Sequence, residues 1–137
     1  MRIFNIILVI CINLLFNGCN ASTYNEMMND SNVNKKEFKV NQNFIDLYKD
    51  SVTRIEPCYD VPMIGSSFRI DGEIITERGE ASIKIYISGT VKRFINVVKI
   101  NKIDENNSNL TIYSYSNEER INVIKKELTG ECNCYCE

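Results

Sequence analysis

Hydrophobic and polar residues alternate most regularly in the stretch between Gly79 and Gly89, which reads GEASIKIYISG. Every second residue from Ala81 to Ile87 is apolar, and the residues between them are polar or amphipathic. A period of two with β-branched side chains on one face predicts a half-buried strand, and the flanking glycines supply the turns. We therefore treat this stretch as the organising strand of a sheet.

Four further strands are predicted around it, at residues 68–75, 91–100, 110–115 and 121–124. Gly72 inside the first of these indicates a bulge or a close approach of another group to the backbone. Adjacent apolar pairs at residues 94–95 and 97–98 indicate that the strand after Gly89 is bulged or buried on both faces. Because the connections are short, we expect the strands to pair in an antiparallel meander.

One amphipathic helix precedes the strands. Asn43 is suited to cap its N-terminus, and its apolar residues share one face at spacings of three and four, namely Phe44, Ile45, Tyr48, Val52 and Ile55. Pro57 ends the helix, because a proline disfavours the helical conformation of the residue before it. The sequence therefore predicts an α+β fold, in which this N-terminal amphipathic helix packs on a mostly antiparallel five-stranded sheet.

Residues 1–18 have the pattern of a signal peptide. Arg2 precedes an apolar run of fourteen residues, 3–16, which is shorter than the about 20 residues that a membrane-spanning helix needs. The run leads to Gly18 and Cys19, and a small residue directly before a cysteine resembles the lipobox of bacterial lipoproteins. This resemblance implies cleavage before Cys19 and acylation of its thiol and new amine. The alternatives are an ordinary signal peptide and an uncleaved anchor.

Residues 19–42 are polar and rich in asparagine, and they show no sustained periodicity. Such a segment buries too little apolar surface to offset the entropy lost on ordering. We therefore expect a disordered tether that starts at the lipidated Cys19 and lifts a folded domain, residues 43–127, off the bilayer. The protein is expected on the periplasmic or extracellular face of a membrane.

The helix at Phe44–Ile55, the loop at Gly65 and the strands that follow resemble the cytochrome oxidase complex assembly protein 1 family. In that family a strand leads into a Gly-x-Ala-x-apolar-x-apolar-x-apolar-Ser-Gly stretch, to which residues 79–89 correspond. The resemblance covers residues 43–125. Relatives of this family share a fold with a membrane-anchored subunit of the mitochondrial inner-membrane protein translocase. The resemblance implies a membrane-anchored domain without catalytic residues that serves the assembly of a respiratory membrane complex.

Composition narrows the classes of function. The chain has 137 residues, a net charge of −2 at pH 7 and no basic stripe, which argues against a nucleic-acid partner. It contains no histidine, the commonest general base and metal ligand. The acidic pairs Asp71 and Glu73, and Glu77 and Glu80, lie where we expect a solvated strand face and a turn. We therefore expect no enzymatic activity, no cofactor and no small-molecule substrate.

The C-terminal tail, residues 128–137, carries cysteines at three alternate positions, and a fourth cysteine lies in the loop after the helix. These residues are Cys132, Cys134, Cys136 and Cys58. An even number of cysteines outside the cytoplasm favours two disulfides, with three possible connectivities. One bridge from the tail to Cys58 would then pin the C-terminus to the loop after the helix. The same four thiols are candidate ligands of one copper or zinc ion, because alternate residues of an extended backbone share a face. Spare or intermolecular thiols are the third alternative.

The sequence thus predicts a non-enzymatic, membrane-anchored lipoprotein domain that acts by contact with a protein partner. The family resemblance points to the assembly of a respiratory membrane complex. Two other functions stay open. One is a thiol- or metal-binding lipoprotein that uses the C-terminal cysteines, and the other is an inhibitor or immunity lipoprotein.

Overall fold

The computed structural model describes residues 21–134 and contains an antiparallel five-stranded sheet and three helices. The helices are α1 (Tyr24–Asn29), α2 (Phe44–Ile55) and α3 (Glu118–Thr129), and the strands are β1 (Asn34–Val40), β2 (Ser67–Ile75), β3 (Glu80–Ser88), β4 (Arg93–Lys102) and β5 (Ser108–Ser114). Short 3-10 helices follow α2 at Glu56–Tyr59 and β2 at Thr76–Arg78. The α+β fold predicted from the sequence is confirmed. None of the described helices is long and apolar enough to cross a membrane.

The strand order is β1-β5-β4-β3-β2, and every pair of neighbouring strands is antiparallel. Strands β2 to β5 form the predicted meander. The first strand pairs with β5 along its full length, from Asn34 opposite Ser114 to Val40 opposite Ser108. The chain therefore crosses from one edge of the sheet to the other through α2, and β1 and β2 are the edge strands.

Both long helices pack on the same face of the sheet and form the main hydrophobic core with it. Its buried residues are Phe44, Leu47, Ile55, Ala81, Ile83, Ile85, Val98, Ile100, Leu110, Ile112, Ile121, Ile124 and Leu128. The alternation predicted in β3 is confirmed, because Ala81, Ile83 and Ile85 are buried while the residues between them are partly exposed. A second, smaller core lies on the opposite face, under α1.

The irregular positions of the sheet also match the sequence. Tyr86 pairs with Phe94 and Ile85 pairs with Asn96, which leaves Ile95 as the extra residue of a bulge in β4. Beyond the bulge, β4 is buried on both faces, as expected from its adjacent apolar residues. By contrast, Gly72 pairs in register within β2, so it marks a close approach rather than a bulge. A Cβ atom at Gly72 would lie only 2.3 Å from the hydroxyl oxygen of Tyr48.

The expectation of a disordered tether over residues 19–42 is wrong for the part that the structure describes. Thr23 and Glu26 form a capping box that starts α1, and β1 adds an edge strand to the sheet. Met27 is fully buried in the second core with Ala21 and Phe94. These tertiary contacts supply the stabilisation that the composition of the segment lacks, and the folded domain begins well before residue 43.

The strand predicted at residues 121–124 is wrong as well, because these residues belong to α3. The side chain of Asn117 accepts a hydrogen bond from the amide of Arg120 at the start of the helix, and Gly130, with φ 76°, ends it. The apolar residues Ile121, Ile124 and Leu128 then share one face at spacings of three and four. Two isoleucines alone do not distinguish the two periods, whereas the caps on either side do. The fifth strand of the sheet is β1 instead.

Replacing Met27 with alanine is expected to release α1 from the sheet. Loss of a buried methionine side chain costs about 2–5 kcal/mol, and a six-residue helix is not stable without its packing. Hydrogen–deuterium exchange should accelerate at residues 24–29 and stay unchanged in β3 and β4. Asn25→Ala, at an exposed position of the same helix, is the matched control. Equally slow exchange in the Met27 variant and in the wild type would contradict this role of the buried side chain.

Candidate functional site

The described cysteines of the predicted site lie together at the end of α2. Cys58, in the 3-10 helix that follows α2, forms a disulfide with Cys134, and their Cα atoms are 5.1 Å apart. Cys132 is also disulfide-bonded. The predicted bridge from the tail to Cys58 is thus confirmed. Cys19 and Cys136 lie outside the described residues, so their predicted roles stay predictions.

Contacts between α3 and α2 bring the tail to Cys58. The hydroxyl of Ser51 and the Nη1 of Arg54, both on α2, donate hydrogen bonds to the carbonyl oxygen of Leu128 at 3.1 and 3.2 Å. Gly130 then ends α3 in the left-handed conformation that glycine adopts without strain. The C-terminal end of α3 is therefore fixed on α2, and the disulfide continues this contact covalently.

The disulfide limits what these sulfur atoms do chemically. Soft metals bind the thiolate form of cysteine, and a sulfur atom in a disulfide is not a thiolate. Three of the four candidate ligands, Cys58, Cys132 and Cys134, are therefore consumed in this state. Among residues 21–134, no three cysteine, aspartate or glutamate side chains are grouped so that they could hold a metal ion. In the described part of the chain the cysteine cluster acts as a cross-link.

The second candidate site is the sheet face opposite α2 and α3, which we call the open face. Of the described helices, only the short α1 packs on it. The open face contains a cleft of about 410 Å³, which is lined by residues of α1 and of all five strands. The lining residues include Tyr24 of α1, Lys35 and Glu37 of β1, Glu73 of β2, Lys99 of β4 and Tyr113 of β5.

Lys99, on the central strand, lies between two aromatic rings. Its Nζ atom is 5.8 Å from the ring centre of Tyr24 and 5.5 Å from that of Tyr113. Lys84 approaches the ring of Tyr24 to 5.3 Å, and Lys35 approaches the ring of Tyr113 to 5.9 Å. An ammonium group within about 6 Å of an aromatic ring centre is attracted by the quadrupole of the ring. Ammonium groups and tyrosine rings therefore alternate across the sheet, and we call this set the lysine–tyrosine row.

Carboxylates border the lysine–tyrosine row on both sides. Glu37 forms an ion pair with Lys35 at 2.6 Å, and Glu73 lies 3.7 Å from the Nζ atom of Lys84. The hydrogen bond from Lys35 lowers the pKa of Glu37 below its ordinary value, and the same bond raises the pKa of Lys35. Both groups are thus charged at neutral pH, and charges of both signs face the cleft.

A set of hydrogen bonds fixes α1 on the open face. The hydroxyl and the amide of Ser22 both donate hydrogen bonds to the carboxylate of Glu26. These bonds lower the pKa of Glu26, and the bond from the hydroxyl contributes most. The hydroxyl of Tyr115 donates to Asp30 at 2.9 Å and accepts from the amide of Ala21 at 3.1 Å. Burial raises the pKa of Tyr115, which keeps its hydroxyl protonated as the donor. The residues on both sides of α1 are therefore fixed to the sheet.

The two acidic pairs of the sequence lie on a strand face and beside a turn, as expected. Asp71 and Glu73 lie on the open face of β2, where Asp71 is 4.0 Å from the Nζ atom of Lys92. Glu77 and Glu80 are exposed beside the turn between β2 and β3. Their positions are those of a solvated strand face and a turn.

Sequence reasoning missed Tyr24, Lys35 and Glu37, because it assigned their segment to a tether. Two signals in the sequence point to the ordered structure. Thr23 and Glu26 have the spacing of a capping box, and apolar residues alternate with charged ones at the end of β1. Neither signal indicates which face of which sheet the segment covers. The cleft is therefore visible only in the folded chain.

No protein-family model matches this sequence, and a comparison with curated proteins finds no match. The resemblance to the cytochrome oxidase complex assembly protein 1 family therefore stays a prediction from the sequence. The features of this protein that bear on its function are the open face, the disulfide and the N-terminal pattern.

Replacing both Cys58 and Cys134 with serine is expected to lower the free energy of unfolding. The bridge joins residues 76 positions apart, and its loss returns conformational entropy to the unfolded chain worth about 3–5 kcal/mol. Urea denaturation of the oxidised wild type and of the double variant measures this difference. Partner binding should survive in the folded variant. A function that uses the thiols predicts the opposite result, with activity lost and stability retained.

Proposed function

We propose that this protein is a membrane-anchored domain outside the cytoplasm that acts by binding a protein partner through the open face of its sheet. The observation that carries the proposal is the lysine–tyrosine row in the cleft, with carboxylates on both sides. Tyrosine is enriched at protein interfaces, because its ring supplies contact area and its hydroxyl supplies a hydrogen bond. Nothing proposed here requires a catalytic group or a cofactor.

The dimensions of the open face favour a polypeptide as the partner. Five strands about 4.8 Å apart make a surface about 20 Å wide. Small-molecule sites are concave and mostly apolar, whereas this cleft is open and lined largely by charged and polar side chains. Charges of both signs orient a partner and exclude partners with the wrong charge pattern.

The disulfide supports a location outside the cytoplasm, since disulfides persist in oxidising compartments. The N-terminal pattern supports export and attachment to a membrane, because Arg2 and the apolar run 3–16 precede Gly18 and Cys19. Acyl chains on Cys19 would supply the attachment, at about 0.8 kcal/mol per buried CH₂ group. The family resemblance adds a partner class, namely a subunit of a respiratory membrane complex.

Replacing Cys19 with alanine is expected to release the protein from membranes, because the variant has no thiol to acylate. Fractionation of cells that express the full-length protein measures the membrane-bound share. Cys11→Ala, which changes a cysteine inside the apolar run, is the matched control and should stay bound. If the Cys19 variant still pellets with membranes and resists detergent-free extraction, the lipid anchor is wrong.

Replacing Lys99 with glutamate is expected to reduce recovery of the partner strongly. The change places a carboxylate between Tyr24 and Tyr113, in the middle of the lysine–tyrosine row. Lys49→Glu makes the same charge change at an exposed position of α2, away from the open face, and should leave binding intact.

The measurement is a mild crosslink and pull-down of the full-length protein from its own membranes, with the partner quantified by mass spectrometry. We expect the Lys99 variant to lose about tenfold or more in recovery, which corresponds to about 1.4 kcal/mol. Respiratory-complex subunits among the recovered proteins would support the partner class. Equal recovery by the Lys99 and Lys49 variants would exclude the open face as the binding surface.

A further inference from the structure

Exposed apolar side chains are concentrated at one end of the sheet. Among the described residues, five large hydrophobic side chains are exposed, and four of them are Val61, Met63, Ile64 and Val91. Ile64 has a relative exposure of 106%, so no part of its side chain is covered. The fifth residue, Ile103, lies at the opposite end of the sheet, in the turn between β4 and β5.

The four residues belong to two loops that contact each other. The loop before β2 carries Val61, Met63 and Ile64, and the turn between β3 and β4 carries Val91. The loops are neighbours, because β2 begins opposite the end of β3. A Cβ atom built on Gly89 would lie 3.3 Å from the carbonyl oxygen of Gly65.

The tip of the first loop is a tight turn. Met63 and Ser66 form an antiparallel β-bridge around it, and Gly65 supplies a positive φ of 73°. Ile64 therefore projects from a closed turn rather than from an open segment of chain. We call the two loops together the apolar end.

The N-terminal segment enters the described fold at this same end. The carbonyl oxygen of Ala21 accepts a hydrogen bond of 3.0 Å from the amide of Phe94, three residues after Val91. Ala21 is buried and its own amide donates to Tyr115 just after β5, so its position is fixed. Cys19 lies two residues before Ala21, and two residues of extended chain span at most about 7 Å.

We propose that the apolar end lies against the lipid bilayer and inserts Ile64 and Val91 into the boundary between headgroups and acyl chains. This inference rests on the proposed lipid anchor, because acyl chains on Cys19 leave the fold within about 7 Å of Ala21. Apolar side chains that enter a membrane surface reach about 5–10 Å into this boundary. The domain therefore sits directly on the membrane and is not lifted from it.

Charge at the apolar end fits a lipid surface. Arg93 lies two residues after Val91 and is exposed. Lys92, between them, is exposed as well, and its Nζ atom lies 4.0 Å from Asp71. Cations next to apolar residues suit the anionic headgroups of a membrane. Ile103 offers an exposed apolar side chain of the same type, but it lies at the end of the sheet that faces away from the anchor.

This orientation decides how the open face meets its partner. Ser82, at the cleft, lies six residues along β3 from Ser88 at the apolar end, which is about 20 Å in a strand. The strands then run roughly perpendicular to the membrane. The cleft opens parallel to the membrane plane, about 20 Å above its surface. A partner that projects from the same membrane is presented to the cleft without leaving the surface.

Single tryptophans test the orientation, because the natural chain contains none. The variants Ile64→Trp, Val91→Trp and Ile103→Trp each place one indole at an exposed loop position. The full-length acylated proteins are reconstituted into vesicles of phosphatidylethanolamine and phosphatidylglycerol, with or without brominated acyl chains. We expect blue-shifted emission and strong quenching by brominated lipid at positions 64 and 91, and neither at position 103.

Sedimentation of the same vesicles separates the two proposals. If the proteins do not sediment with the vesicles, the anchor is wrong and the orientation falls with it. If they sediment and the variants at positions 64 and 103 are quenched equally, the anchor stands and the orientation is overturned. A blue shift at position 64 without quenching by brominated lipid also overturns it, because a protein contact then covers the loop.

Discussion

The packing of α2 and α3 on one face of the sheet is the interaction on which the rest of the structure depends. Because both helices use the same face, β3 buries its aliphatic residues on that face, which accounts for its alternation. The opposite face is left to polar side chains and to the short α1, and this asymmetry creates the cleft. The hydrogen bonds from Ser51 and Arg54 to α3 bring the C-terminal tail to Cys58, so the disulfide depends on the same contact.

The elements that the sequence predicts correctly are those whose signals are local. The period of two in β3, the cap at Asn43 and the stop at Pro57 each lie within one element, and the structure has all three. The C-terminal helix was accessible by the same route, since Asn117 and Gly130 bracket it. Without these caps, two isoleucines alone do not distinguish a helix from a strand.

The rest depends on contacts between distant residues. Strand β1 carries three lysines and one glutamate, and charges on an edge strand discourage pairing with other chains. The same charges make it resemble a linker in the sequence. Helix α1 is too short to be stable alone and exists because Met27 packs on the sheet. The disulfide partner of Cys58 is one of three alternatives that spacing cannot separate. The cleft combines Tyr24 with Lys99 and Tyr113, residues that only the strand order brings together.

Because the N-terminal segment is folded, the proposed anchor would constrain the orientation of the domain relative to the membrane. A disordered tether would separate the membrane from the fold, so that the orientation of the domain would carry no information. Here the segment from Ala21 onward is itself part of the structure, because Ala21 bonds to Phe94 and Tyr115, and Tyr24 lines the cleft. In the proposed anchoring, Cys19 and the cleft are thus separated by only a few residues, of which those from Ala21 onward are fixed to the sheet. Under the two proposals, the geometry of the cleft and the position of the domain on the membrane therefore depend on the same short helix.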